Sequence, residues 1–419
     1  MSSGTETESS HTYRRSSAGR PWVLVFGTLF VCAWSGNQFS PMLLLYRDVA
    51  HYSSAMVTLF LGIYVLGLAP ALIVAGAISD NSGRRRPMFY AVCFGLAGSV
   101  LLAIGEFGPI PICIGRLLAG MSVGTAMAVG TSWLKEVSQQ PYDAAADAGA
   151  GARRASLAFT LGSAMGALVA GSIAQRGPWP EVFPYAVHIL VAAPFLWLVR
   201  KPPETVTFTG NHTSLHTRLI VPSAGHPRFR RVVLIAGPWL FAACALSYGY
   251  LPVLLADASG DLGLAYATLL SVVALVSGAL VQPLAQRIDS VSSARGTVVS
   301  LATLTVGLMI MMLAIALDQL AIGVVASIVF GCGFGIGLVS GLLEVQRIAP
   351  AAHLARLTGI FYAVAYLGFI TPTIIASLTP PFTTMALLTV LAVLMILSTL
   401  AILMSYRTHL PADARRTPA

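Results

Sequence analysis

The chain has 419 residues, of which 56% are hydrophobic and only 10% charged, with a mean hydropathy of +0.79. That is far more apolar length than a soluble core of this size buries, so a soluble enzyme or binding domain is excluded. The net charge of +9 is broken into short runs between apolar segments, not gathered on one soluble face, which excludes a nucleic-acid partner.

Residues 1–20 are polar, rich in Ser and Thr and aperiodic, and read as a disordered tail; 407–419 read the same way. Apolar segments then follow at 22–46, 55–79, 87–105, 109–133, 155–174 and 182–199. After a polar interruption at 200–230, six more follow at 231–256, 263–286, 296–317, 319–343, 357–378 and 382–405. At ~1.5 Å per residue each has about the length needed to cross ~30 Å of hydrocarbon. They run apolar continuously instead of alternating over ~10 residues, which excludes a transmembrane barrel. The first segment outruns a signal-peptide core and no small-x-small site closes it before Tyr46, so it is expected to stay as helix 1. The expected fold class is an all-α membrane protein of about twelve transmembrane helices in two six-helix bundles, 21–199 and 231–406, joined by a linker at 200–230.

Charge fixes the expected orientation. With both termini cytoplasmic, all of the 25 Lys and Arg except Arg47, Arg116 and Arg176 fall on the inner side, as the positive-inside rule requires. The expected location is the plasma (inner) membrane, multi-pass. Cys32, Cys93, Cys113, Cys244 and Cys332 all lie inside predicted spans without ligand-like spacing, so they read as packing residues and no metal is expected. The sequon NHT at 211–213 falls on the cytoplasmic side and is discarded. The run GCGFGIG at 331–337 has Ile336 at the third glycine position and no soluble strand before it, so it is no dinucleotide fingerprint.

The two halves echo each other faintly. Gly76-Ala77 followed by Asp80 matches Gly278-Ala279 followed by Gln282, and Glu136-Val137 at the end of helix 4 matches Glu344-Val345 at the end of helix 10. Parallel repeats of this sort mark transporter folds.

The stretch GAISDNSGRRR at 76–86 packs one acid and three arginines into a charge-poor chain, where a helix leaves the membrane. Gly83 permits a tight turn, Asp80 can face a helix N-terminus or an arginine, and the arginines hold the headgroup zone. This stretch resembles the loop between helices 2 and 3 of the major facilitator superfamily, with Gly76, Asp80, Gly83, Arg84, Arg85 and Arg86 matching its pattern in place. Arg116-Leu-Leu-Ala-Gly120 is similar to that family's Arg-x-x-x-Gly motif in helix 4. Helix 5 keeps Gly162, Gly166 and Gly171 of the family's antiporter motif, but has Ala167 where proline is expected and Ala170 in place of a glycine.

The resemblance implies two lobes rocking about a central cavity lined by helices 1, 4, 7 and 10, with contributions from 2, 5, 8 and 11. Trp34, Asn37, Gln38 and Pro41 recur at helical spacing in helix 1 and are expected to line that cavity. So are Arg116, a charge well inside a span, Trp239 and Tyr248 in helix 7, and Tyr362 and Tyr366 in helix 11. Tyr250, Phe369 and Thr373 share those faces. Gly76, Asp80, Gly83, Arg84 and Glu136 are expected to form the conformational gate, with Arg84 pairing with Asp80 or Glu136. Gly120, Gly124, Gly162, Gly166 and Gly171 serve close helix packing. His188, without an acid partner, reads as a packed neutral residue.

No acid lies deep in a span, so a neutral, lipophilic or anionic substrate is expected over an organic cation. No Walker motif and no catalytic cluster is visible, so no ATP use, no cofactor and no enzyme activity is expected. The reading is a monomeric secondary transporter in the lipid bilayer, exporting a small organic molecule in exchange for protons. The alternatives are an importer working by symport or uniport, a transporter-like sensor, and a membrane-embedded enzyme.

Overall fold

Long apolar segments have no water in a bilayer to satisfy their backbone, so each closes its own hydrogen bonds as a helix. A computed structural model describes residues 20–48, 51–146, 150–206, 221–349, 351–408 and 410. Among these, eleven helices are long and apolar enough to cross a membrane. They are α1 (Pro21–Arg47), α2 (Ala55–Ser79), α3 (Arg85–Ala103), α4 (Pro109–Val137), α5 (Ala150–Arg176), α7 (Phe229–Leu254), α8 (Ala256–Leu280), α9 (Arg295–Ala316), α10 (Leu320–Ile348), α11 (Arg356–Ser377) and α12 (Thr384–Met404). Between α5 and α7 lies the shorter apolar helix α6 (Phe183–Leu198), interrupted before Phe195, where Pro194 cannot continue the hydrogen-bond ladder.

The packing repeats from one half to the other. In the first half α2 and α3 pack on α4 and α1 packs on α5; in the second, α8 and α9 pack on α10 and α7 packs on α11. The halves meet where α2 packs on α11 and α5 packs on α8, the same pair of contacts taken in the opposite order. The start of α1, the end of α12 and the described residues 199–206 and 221–228 lie at one end of the bundle, here called the termini end.

Three departures from the hydropathy reading have a local reason. α1 is not one continuous helix: regular winding stops at Asn37, the chain turns through 38–41 ahead of and at Pro41, and winding resumes at Met42. α4 runs on past residue 133 to Val137, because Lys135 and Glu136 lower the hydropathy while Leu134 and Val137 stay fully buried. α8 starts earlier than expected and stops at Leu280, and the chain restarts as a short helix at Gln282 with Pro283 in its first turn.

Candidate functional site

A cavity of about 360 Å³ lies between the lobes, within the usual range of about 300–1,000 Å³ for small-molecule sites. Its head is formed by Asn37, Ser40 and Arg116, and it reaches Ala152, Gln286, Gln346 and Thr358 at the termini end. Along α4 alone, Arg116 to Thr131 is about 22 Å of helix. Toward the other end the lobes are joined. Arg47 Nη1 donates to Val253 O at 2.9 Å, Ala265 N donates to Gln175 Oε1 at 2.7 Å, and Thr373 Oγ1 donates to Thr58 O at 2.7 Å. Leu44, Val253 and Ala267 add an apolar plug there.

The cavity waist is aromatic. Phe241 stacks on Tyr366 with ring centroids 3.7 Å apart, Tyr366 stacks on Phe369 at 5.7 Å, and Tyr64 meets both Tyr366 and Phe369 edge-on. Two π-helical turns, Ala126–Gly130 in α4 and Ala245–Tyr250 in α7, bring Met127 and Tyr248 to this wall. Tyr366 Oη contacts Met127 Sδ at 3.4 Å, so the wall closes across the lobes.

Arg116 does not snorkel to the interface. It is 1% exposed, with its guanidinium between the rings of Phe39 and Tyr64, 4.5 Å from each centroid. Nε donates to Phe60 O at 3.0 Å and Nη1 to Gly36 O at 3.1 Å. Among the described residues no carboxylate pairs with it, and it is the one charged side chain lining the cavity. Such a pocket favours a neutral or anionic occupant, because a second buried cation would add like-charge repulsion to its own desolvation.

Of the expected wall, Asn37, Arg116, Tyr248, Tyr362 and Tyr366 line the cavity and are brought together. Trp34, Gln38, Pro41 and Trp239 do not. Gln38 still follows the helical winding, its N–H bonding Trp34 O, and adjacent residues of a helix point about 100° apart, so Asn37 reaches the cavity while Gln38 turns away from it. Gln38 instead points to α3, where Nε2 donates to Ser99 Oγ at 2.8 Å. Ser99 also bonds His188 Nδ1 at 2.8 Å, and His188 Nε2 bonds Val31 O at 3.0 Å. A carbonyl only accepts, so Nε2 donates to Val31 O, and with Nδ1 on Ser99 both ring nitrogens are partnered and the ring is packed. Trp34 sits 6.0 Å from the His188 ring, and Trp239 Nε1 donates to Ser398 Oγ of α12 at 3.0 Å. Residues that the sequence reading passed over include Tyr64, Phe241, Gln282, Gln286 and Gln346, all on the lining. Only Gln282 carried a signal, through its echo of Asp80.

At the termini end the 76–86 stretch is locked by ion pairs and by the chain that leaves α6. Gly83 has φ +83°, a left-handed conformation that suits glycine, and a Cβ there would collide with the Glu204 carboxylate. Arg84 holds Glu136 with two bonds, Nη2–Oε1 at 2.9 Å and Nε–Oε2 at 3.3 Å, and also bonds Ser79 Oγ. Glu204 accepts from the backbone N–H groups of Arg84 at 2.8 Å and Arg85 at 3.1 Å, an anion at the positive end of α3. Trp133 Nε1 donates to Pro203 O at 3.0 Å, Arg85 Nε to Pro202 O at 2.9 Å, and Thr205 Oγ1 to Glu136. The side chain of Asp80 lies outside the described residues. Gly76 is not held by space, since a Cβ there would make an ordinary contact, 3.8 Å from Ala128 Cβ.

The packing glycines are held by space. A Cβ at Gly120 would land on Tyr64 O, at Gly124 on Leu68 O, at Gly162 on Phe30 O, and at Gly166 2.6 Å from Trp34 O. Gly171 receives the side chain of Thr268 from the other lobe. All five cysteines are free, and among the described residues no cluster of three or more His, Cys, Asp or Glu could hold a metal.

The same fold is found in known proteins. By structure, a POT family transporter in complex with 5-aminolevulinic acid superposes with a TM-score of 0.74 at 12% identity, covering 93% of this chain and 96% of that one. The D-xylose-proton symporter gives 0.69 at 14%, covering 91% and 96%, and these likenesses show the fold. By sequence, the chain is 27% identical over 159 residues to the citrate-proton symporter of Klebsiella pneumoniae, covering 35% of each chain. It is 31% identical over 136 residues to the multidrug efflux pump LfrA of Mycolicibacterium smegmatis, covering 31% of this chain and 25% of that one. It is 27% identical over 146 residues to the alpha-ketoglutarate permease of Escherichia coli, covering 31% and 32%. The matched segments thus span about a quarter to a third of these curated relatives. The family model of the Major Facilitator Superfamily matches residues 24–373, most of the chain, and this multi-pass membrane protein belongs to that family of transporters.

Proposed function

We propose that the chain exports small organic molecules across the plasma membrane by alternating access, with protons as the coupling ion and the single chain as the working unit. The observation that carries this reading is one cavity walled by both lobes, joined across at one end and reaching the other. The termini end, where Arg84, Arg85, Arg228, Arg230, Arg287 and Arg347 collect, is taken as cytoplasmic by the positive-inside rule. In that orientation the structure is inward-facing, ready to load from the cytoplasm. The apolar and aromatic wall and the segment shared with an efflux pump support export.

The stretch holding Gly76, Asp80, Gly83, Arg84 and Glu136 is proposed as the inner gate. Asp80 would face the N-terminal end of α11 when the lobes close, a helix-dipole contact worth about 0.3–1 kcal/mol.

A second reading, import of an organic acid by symport, is favoured by one observation: the lone lining charge is a cation, and two of the relatives are a citrate symporter and a ketoglutarate permease. The deciding experiment is a substrate panel on purified protein in liposomes, with and without an imposed pH gradient. Export with protons predicts substrate movement against the direction of proton flow; symport predicts movement along it. Ligand binding with no flux in any condition would instead identify a sensor.

A further inference from the structure

We infer that the cavity takes a monoanionic ligand, a carboxylate joined by a short spacer to a flat aromatic or apolar body, with the carboxylate on Arg116. This rests on the transport reading of the same cavity and names its substrate class. A guanidinium presents five N–H groups, and the two bonds of Arg116 to Phe60 O and Gly36 O use only Nε and one hydrogen of Nη1. The Nη2 group and the second hydrogen of Nη1 make no hydrogen bond among the described residues, and Arg116 lines the cavity. That free edge is the one a carboxylate meets with two parallel bonds. Asn37 and Ser40 line the same head of the cavity and add uncharged polar groups beside it.

The body of the ligand is set by what comes next. Tyr64, whose ring covers one face of Arg116, lies 6.4 Å from the Tyr366 ring and 6.2 Å from the Phe369 ring. The charged head therefore passes directly into the aromatic wall, with no second charge along the described lining. A short spacer lets one molecule touch Arg116 in the first lobe and Tyr366, Phe369 and Tyr248 in the second. The ligand supplies the counter-charge that the protein lacks, and a cation in its place would meet a buried positive charge with nothing to balance it.

Purified protein is titrated with 3-phenylpropionate, its amide 3-phenylpropionamide, the amine 3-phenylpropylamine, and acetate, with calorimetry as the readout. The acid is expected to bind at least about tenfold more tightly than the amide, as loss of a charge-assisted pair requires. The amine and acetate are expected to bind too weakly to measure. In R116Q the acid and amide should bind alike, with the amide within about threefold of its wild-type affinity. The wild-type comparison needs no variant, so it stands even where R116Q does not fold. Equal binding of acid and amide by the wild type, preference for the amine, no measurable binding of the acid, or an acid preference kept in folded R116Q would each overturn the inference. Flux of the same compounds in liposomes separates the two readings. Acid-selective binding without flux sinks transport alone, and flux of neutral compounds without acid preference sinks the anion site alone.

Discussion

Arg84 grips Glu136 through two hydrogen bonds at the end of α4, and Arg228 grips Glu344 the same way at the end of α10, at 2.6 and 2.5 Å. The two glutamates are the repeat partners that the sequence echo marks, but their surroundings differ. The Glu136 side chain is 33% exposed, whereas Arg228 and Glu344 are buried at 0% and 1%. Solvent screens the first pair, and E136Q should cost about 0.2–1 kcal/mol of stability. E344Q leaves a guanidinium buried without its counter-charge and should cost about 3–5 kcal/mol. Thermal unfolding in detergent reads both, and equal shifts in melting temperature would contradict the burial argument.

The glycines separate by what lies beyond them. G120A puts a Cβ on the backbone oxygen of Tyr64, and backbone cannot swing away as a side chain can, so α2 and α4 must part. Gly237 has its nearest neighbours at 3.7 Å, an ordinary contact. G237A is therefore expected to be neutral or to stabilise by up to about 1 kcal/mol through helix propensity, while G120A lowers folded yield sharply. The check is monodisperse yield by fluorescence-detected size exclusion, and a G120A variant that behaves like wild type would refute the close approach.

The span pattern and the two-bundle helical fold were legible because hydropathy over a span length reports directly on lipid. The wall was only partly legible. Helical spacing put Trp34, Asn37 and Gln38 on one broad face, but positions on that face diverge by up to about 100°, and of the three only Asn37 lines the cavity. Trp239 belongs to the α12 contact through Ser398, a relation that no local pattern in α7 contains. The strap formed by Pro202, Pro203 and Glu204 was read only as linker, because its role lies in docking onto Arg84, Arg85 and Trp133, far off in sequence.

Asn37 and Gln38 are neighbours with different tasks. Asn37 lines the cavity, so N37L should lower ligand affinity several-fold with little change in stability. Gln38 gives one hydrogen bond to Ser99, yet its buried Oε1 has no partner. Q38L loses a bond worth about 1 kcal/mol and removes an unsatisfied acceptor that costs about 1–3 kcal/mol, so the two effects nearly offset. Q38L is expected to leave affinity unchanged and stability within about 1 kcal/mol of wild type. Paired binding and melting measurements check this, and a loss of affinity in Q38L would return it to the wall.

The lobes are held together by few polar bonds, and their placement sets which way each loss should tip the molecule. At the termini end Ser156 Oγ donates to Gln282 Oε1 across the lobes at 2.9 Å, where α8 has just ended. Away from the termini end Gln175 takes the N–H of Ala265, again from α5 to α8, at 2.7 Å. One helix pair thus carries a clasp at each end. A net hydrogen bond is worth about 0.5–1.5 kcal/mol, which is about a 2- to 12-fold shift between the two states. The Gln175–Ala265 bond is made in this inward-facing state and must break for the outer end to open, so Q175A should move the population toward outward-open; the Ser156–Gln282 bond is made in the same state, so Q282A should not move it toward inward-open. Asp80, as part of the proposed inner gate, would act only when the lobes close at the termini end, so D80N should move the population toward inward-open. The measurement is labelling of a single cysteine at Ser40, which lines the cavity head, by an impermeant thiol reagent from each face in a background freed of native cysteines. Q175A leaving the two-sided ratio unchanged or moving it toward inward-open would show that this bond does not clasp the outer end.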